Sequence, residues 1–339
     1  MSPESLTKTR TASPLVIIGM PRCGSTIFTR LLNESPDLLI INDFYYLQYV
    51  DAIGGFSNHD RQNKDLCAKY VAKWLIKRIK RPSSTGIGCG LMISPEEEAK
   101  IKDFLADFDP DGERDWGSIL EEIMSFSAKS AGAKIWGHNT PQDYLNLDLI
   151  DRRFPQSQFI FMIRNPQSML CSYKFIIKSK ASNDDSIRYH PVLQTLAWRT
   201  AVRAFLDYQK RNPNRILSVR YEDLIAQTNQ TLAKVGEFTK ADFPPLNLDD
   251  FGNNSSFKDK KRKTLNDTEM WLCEKIAGRE MEQLEYSLSG KKPRLRDLGN
   301  LVFVSLKVFW HYSISIFTSV DTRKRVWKLA KKILLNDRS

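Results

Sequence analysis

The chain has 339 residues, 41% of them hydrophobic, an ordinary share for a soluble protein and enough for one large α/β core with insertions. Lys and Arg outnumber Asp and Glu by 51 to 40, a net charge of +11. That favours acidic ligands or surfaces, and no nucleic-acid motif accompanies it. The five cysteines, Cys23, Cys67, Cys89, Cys171 and Cys273, are odd in number, scattered and without a C-x-x-C pair. They suit a reducing compartment, and no metal site is expected from them.

Residues 1–13 read as a flexible tail. MSPESLTKTRTASP has no apolar core region, so no secretory signal is expected and the protein is expected in the cytoplasm. Leu15–Ile18 is a continuous apolar run suited to a strand buried on both faces. Gly19 and Pro21 stop it, and Gly24 opens a helix over Ser25–Leu32 with Ile27, Phe28, Leu31 and Leu32 at helical spacing. Strand, small-residue loop and helix make a phosphate cradle, because amides at a helix start lack partners and the helix dipole favours an anion there. The spacing nearly matches G-x-x-x-x-G-K-[ST], but Ser25 stands where that motif has Lys, and the cation is Arg22 inside the loop. Cys23 reads as a small loop side chain.

Asp37–Ile41 is expected as the second strand, ended by Asn42-Asp43. Aromatic residues Phe44, Tyr45, Tyr46 and Tyr49 follow. Asp43 suits either a general base at a strand end or the cap of a following helix. Lys64–Arg81 is a basic amphipathic helix, the solvated side of a packed element before it is a membrane or partner surface. Ser84–Gly90 reads as a lid-like loop. Ser94-Pro-Glu-Glu97 is a capping box opening a helix to about Phe108, and Trp116–Ser130 is another. Residues 55–131 therefore read as a helical insertion between strands of a parallel sheet.

Lys134–Thr140 is expected as a strand carrying His138, followed by a helix over Asp143–Arg153. Gln158–Ile163 is a strong strand ending in Arg164-Asn165-Pro166, and a helix over Gln167–Lys178 carries Ser172. A magnesium-holding nucleotidase strand would end in Asp; a guanidinium here suits bidentate phosphate binding instead. Arg22 and Arg164 at adjacent strand ends can bind a doubly phosphorylated ligand without a metal. Helices follow over Pro191–Gln209, Leu232–Phe238 and Asp267–Tyr286, with a buried strand over Ile216–Val219 closing in Arg220-Tyr-Glu-Asp-Leu224. Asn253–Lys263, NNSSFKDKKRK, reads as a polar, basic loop.

Leu301–Val320 is about the length of a membrane span, but Lys307 and His311 interrupt it and basic clusters flank both sides. An in-plane amphipathic segment followed by a basic helix over Arg323–Leu335 suits the pattern better, giving peripheral membrane contact through 301–335. The alternative is a helix packed on the domain or on a second subunit.

Together, GMPRCGST (Gly19–Thr26), WGHNTP (Trp136–Pro141), FIFMIRNPQSMLCSY (Phe159–Tyr173), VRYEDL (Val219–Leu224) and the NSSF loop at Asn254 resemble the sulfotransferases that use 3′-phosphoadenosine 5′-phosphosulfate (PAPS), above all their bacterial and tyrosylprotein-type branch. The resemblance implies an α/β fold, a P-loop-like parallel sheet flanked by helices, occupying residues 14–290, with 291–339 as a C-terminal helical extension. It implies that Arg22, Cys23, Gly24, Ser25 and Thr26 bind the 5′-phosphosulfate and that Arg164 and Ser172 bind the 3′-phosphate. Tyr221 would lie near the nucleotide, with Ser255 and Lys258 covering it. Family members use a Glu or a His as base; the matching positions here hold Asp43 and His138. The family's loop usually has Ser at position 23 and Thr at position 25.

The implied reaction moves a sulfuryl group from PAPS to a hydroxyl or amine of a small-molecule, carbohydrate or lipid acceptor, leaving 3′,5′-adenosine bisphosphate. Arg22 would stabilise the leaving group, and Asp43 or His138 would take the acceptor proton. A P-loop kinase-like phosphotransferase, or a non-catalytic nucleotide-binding, membrane-associated protein, are the alternatives.

Overall fold

Five parallel strands organise the molecule: β1 (Leu15–Gly19), β2 (Leu38–Asn42), β3 (Ile135–Asn139), β4 (Gln158–Ile163) and β5 (Ile216–Arg220). Their order is β2-β3-β1-β4-β5. The computed structural model describes residues 14–45, 76–80, 93–106, 116–175, 189–251 and 264–297. Beyond these it describes residues 299, 301–303, 305, 306, 310, 327 and 331. The expected loop at Ser84–Gly90, the loop at Asn253–Lys263 with Ser255 and Lys258, and residues 64–75 of the basic helix lie outside the described residues.

The helices are α1 (Ser25–Leu32), α2 (Ile76–Lys80), α3 (Pro95–Ala106), α4 (Trp116–Ser130), α5 (Leu147–Arg153), α6 (Pro166–Lys174), α7 (Pro191–Arg211), α8 (Tyr221–Ala226), α9 (Thr228–Thr239) and α10 (Asp267–Gln283). The alternation of a strand divides its side chains between two cores. Val16, Ile18, Leu39, Ile41, Phe159, Phe161 and Ile163 face one side, with α4, α7 and α10. Leu15, Ile17, Leu38, Ile40, Ile160 and Met162 face the other, with α1, α8 and α9. β1 lies between β3 and β4 and is wholly buried, which explains its continuous apolar run. Gly137 is required by this packing: a Cβ there would come 2.1 Å from the Leu15 carbonyl oxygen.

The expected Ser94 capping box forms. The Ser94 amide donates to Glu97 Oε2 at 2.7 Å, and the Glu97 amide donates to Ser94 Oγ at 3.1 Å. The described parts of the 55–131 insertion are helical. Three expectations are corrected. The helix predicted over Asp143–Arg153 is instead a 3-10 turn, Pro141–Asn146, followed by α5. There the Asp143 carboxylate accepts from His138 or pairs with it at 3.0 Å and accepts from Asn146 Nδ2 at 3.0 Å, so the chain tightens around it. The helix predicted to Lys178 stops at Lys174, where the Phe175 amide closes the last turn on Cys171. β5 is an edge strand, with Leu217 half-buried and Ser218 exposed, and not the fully buried strand expected.

Candidate active site

The C-terminal ends of the strands gather one loop each on one edge of the sheet. β1 is followed by α1 on one face, while β4, its neighbour, is followed by α6 on the other. The two connections part, and such a switch point opens a crevice at the strand ends. Arg22 and Arg164 come together there, as the sequence predicts.

The β1 loop is shaped by its glycines. A Cβ on Gly19 would lie 2.5 Å from the Met162 carbonyl oxygen, and Gly24 (φ 91°) is the left-handed residue that starts α1. Its N-cap, Gly24, offers no side chain to cap α1, which suits the helix start to an anion. Ser25 is buried and Thr26 exposed at this start. Arg22 also takes a left-handed conformation (φ 74°), a strained choice for a side-chain-bearing residue that turns it outward from the loop. Its Nε donates to Ser172 Oγ at 3.1 Å.

Cys23 faces inward. It is 1% exposed within the core beneath α1, and its amide donates to Met20 O at 3.1 Å. Burial pushes its thiol up to about 11, against smaller opposing effects from hydrogen bonds at Ser25 and from Arg164. The residue packs the loop and is not an activated thiol.

Arg164 leaves β4 and reaches back, its Nη1 donating to Arg22 O at 3.0 Å. Its guanidinium lies over the Tyr221 ring, 4.5 Å from the centroid, and its carbonyl accepts from the Trp198 indole at 3.0 Å. The Arg164 Nε is buried with no hydrogen-bond partner. Such a group is costly to leave unmatched and marks a place where an acceptor belongs. Asn165 caps α6, accepting from the amides of Gln167 (2.9 Å) and Ser168 (3.2 Å). That aims the helix so that Ser172, two turns on, meets Arg22. Sequence reasoning did not single out Trp198 or Glu222. Glu222 accepts from the Asn165 amide at 3.0 Å, and its position in Arg220-Tyr-Glu was the available signal.

The two base candidates sit in different settings. Asp43 follows β2 in a left-handed conformation (φ 53°) and is partly exposed. Its amide donates to Asn139 O at 2.8 Å, and the Tyr45 hydroxyl donates to its Oδ1 at 3.4 Å. The helix expected after it lies outside the described residues. His138 is 3% exposed and level with Val16 of β1 and Ile41 of β2, below the strand ends. Its Nε2 is 3.0 Å from Asp143 Oδ2, and its ring lies against Phe44. Its Nδ1 is buried without a partner.

Among the described residues, no group of three or more His, Cys, Asp or Glu side chains is placed to hold a metal, and Cys23, Cys171 and Cys273 are free thiols. No helix of the described residues is long and apolar enough to cross a membrane.

The fold is that of known sulfotransferase domains. The sulfotransferase domain of the Synechococcus PCC 7002 olefin synthase superposes with a TM-score of 0.51 at 18% identity, over 84% of this chain and 100% of its own. The sulfotransferase domain from the curacin biosynthetic pathway gives 0.50 at 15% identity, over 83% and 100%. No curated protein sequence matches the chain. The model of the sulfotransferase family matches residues 14–245, without singling out a branch. That span holds the site residues placed here, from the β1 loop to Glu222, and the chain belongs to the sulfotransferase family.

Proposed function

We propose that the chain transfers a sulfuryl group from PAPS to a hydroxyl or amine of a small-molecule, carbohydrate or lipid acceptor. The observation that carries this reading is the joined set Ser172–Arg22–Arg164–Tyr221 at the switch point. Two guanidiniums, one hydroxyl and the uncapped start of α1 suit a ligand with two separate phosphate-type anions. The orphaned Arg164 Nε adds an unmet donor. Arg164 and Ser172 would hold the 3′-phosphate, with Tyr221 stacking beneath. Arg22, Gly24, Ser25 and Thr26 would hold the 5′-phosphosulfate. Cys23 supports that loop from below. Ser255 and Lys258 belong to the same proposal as covering residues.

In the reaction the acceptor oxygen forms a bond to sulfur as the bond from sulfur to the bridging oxygen breaks. The sulfuryl group passes in line, and 3′,5′-adenosine bisphosphate leaves. Arg22 and the loop amides offset charge growing on the bridging oxygen. The acceptor proton goes to Asp43, which is partly exposed at the strand ends. His138, held by Asp143 below them, positions the end of β3. No metal is required by this chemistry.

Calorimetric titration with 3′,5′-adenosine bisphosphate, with ATP–magnesium alongside, tests the donor. Binding of the bisphosphate that is lost in Arg164→Ala is expected. Binding of ATP–magnesium alone would instead favour a kinase-like phosphotransferase.

The described part of the C-terminal extension favours peripheral membrane contact through 301–335. Ser305 is tied to His190 Nε2 at 3.0 Å, yet Val302, Phe303, Leu306 and Trp310 stand 58–70% exposed. Their spacing puts them on one helix face, and Lys291, Lys292, Arg294, Arg296, Arg323, Lys324 and Arg325 flank it in sequence. An apolar face with basic flanks suits an anionic lipid surface, and with it a membrane-borne acceptor. We place the boundary between sulfotransferase domain and extension at residue 290.

A further inference from the structure

Asn165 spends its side chain on capping α6, and a cap residue's own amide has no partner inside the helix it caps. That amide donates to Glu222 Oε1 at 3.0 Å. The second carboxylate oxygen, Oε2, accepts from the Tyr286 hydroxyl at 3.1 Å. Glu222 therefore bridges the turn after β4 to a residue just past α10, more than a hundred positions away in sequence.

Tyr286 is itself fixed. It is 6% exposed, its amide donates to Met281 O at 2.8 Å, and the Arg220 guanidinium lies 4.5 Å over its ring. Arg220 is the register partner of Ile163, the last residue of β4, so the stack sits beside the same turn. Burial raises the Tyr286 hydroxyl far above its ordinary range, with the Glu222 charge adding to the effect. It stays a donor at any physiological pH. A second tie runs parallel: Gln167 Nε2 donates to Glu274 Oε1 at 2.7 Å, and Glu274 in turn accepts from the amides of Ser289 and Gly290 at 2.6 and 3.1 Å. Both ties hold the turn from the side of α10.

We propose that Tyr286, acting through Glu222, is a positioning residue for the donor: it holds the Arg164-Asn165-Pro166 turn so that Arg164 and Ser172 meet the 3′-phosphate together. The proposal rests on the PAPS reading above. It extends the donor apparatus to α10 and its C-terminal flank, beyond the residues 14–245 that the family model matches. Neither residue touches the ligand. The turn has one well-defined setting because the Asn165 amide, the Asn165 cap and the Gln167 side chain are all committed, and displacements of ~1 Å in such supports cost up to about a hundredfold in rate.

Tyr286→Phe keeps the ring and the Arg220 stack and removes only the hydroxyl. Two readouts are needed: amide hydrogen exchange over 165–168, and the dissociation constant for 3′,5′-adenosine bisphosphate. Exchange should quicken at Asn165, and the dissociation constant should rise about 5-fold, less than the roughly tenfold or more of a full hydrogen bond to a charged acceptor because Tyr286 acts at one remove from the ligand. KM for PAPS should rise with it while kcat stays within about twofold. Glu222→Gln, which keeps an acceptor for the Asn165 amide, should fall between the wild type and Glu222→Ala.

Unchanged exchange in Tyr286→Phe would overturn the proposal whatever the ligand. Faster exchange with an unchanged dissociation constant would reduce the tie to fold support and overturn the positioning role. A wild type that does not bind the bisphosphate would overturn the donor reading, and the donor role of Tyr286 with it. The exchange result would still distinguish that failure from the absence of the tie.

Discussion

The ring of Tyr221 fills the space a side chain at Gly24 would need: a Cβ on Gly24 would lie 2.2 Å from Tyr221 Cδ2. The first residue of α8 and the cap of α1 are thus in direct contact, and the Arg164 guanidinium lies over the same ring. Gly24→Ala must strain a left-handed position (φ 91°) and displace the ring. A destabilisation of ~1–3 kcal/mol is expected from such strain. Affinity for 3′,5′-adenosine bisphosphate should fall at least tenfold, because Arg164 loses its seat. Denaturant unfolding and calorimetry on the same preparation measure both effects.

Asp43 and His138 separate by what their loss should do. Asp43→Asn should lower kcat by ~10²–10⁴ with bisphosphate affinity unchanged. His138→Gln removes the buried partner of Asp143 and should cost about 1–3 kcal/mol of stability, with turnover per folded molecule within a few-fold of wild type. A His138→Gln protein with wild-type stability and the larger loss of kcat would reverse the two assignments.

Acid should weaken the cap that His190 places on α7. Its Nδ1 accepts from the Leu193 amide at 3.4 Å and caps α7, which leaves the proton on Nε2 toward Ser305. The Nδ1 cap needs the neutral ring, whereas Nε2 still donates to Ser305 from a protonated one, and burial lowers the ring's pKa. The unfolded chain, titrating near ~6.5, then binds more protons than the folded one just below that pH. The contribution is complete above about pH 6.5 and is lost as pH falls through the folded value. His190→Asn still caps but does not titrate. Its urea midpoint should change less between pH 7.5 and 5.5 than that of the wild type.

The exposed face of the extension should carry the chain to anionic membranes. Co-sedimentation with phosphatidylserine-containing vesicles should exceed that with neutral vesicles and weaken with salt. Phe303→Asp together with Trp310→Asp should abolish it while leaving bisphosphate affinity unchanged. Equal sedimentation of the wild type with both vesicle types would end the idea.

The amino-acid sequence by itself determined most of the elements and the loop that joins β1 to α1. Periodicity and breakers are local properties, so α1, α4 and β4 were legible residue for residue, and Gly19, Arg22 and Gly24 announced a cradle by spacing alone. Arg164 was legible because a charged residue ending an apolar strand must emerge at the sheet edge. Only the tertiary structure decided which residues serve one another. Cys23, inside the loop motif, turns into the core because the space beneath Gly19 is there to be filled. His138, marked by its motif, lies below the edge because β3 ends level with the middle of β1. Tyr286 reaches the Arg164-Asn165-Pro166 turn through Glu222, a contact between positions 64 residues apart. Such pairings depend on how helices cross the sheet, and no local pattern encodes the crossing.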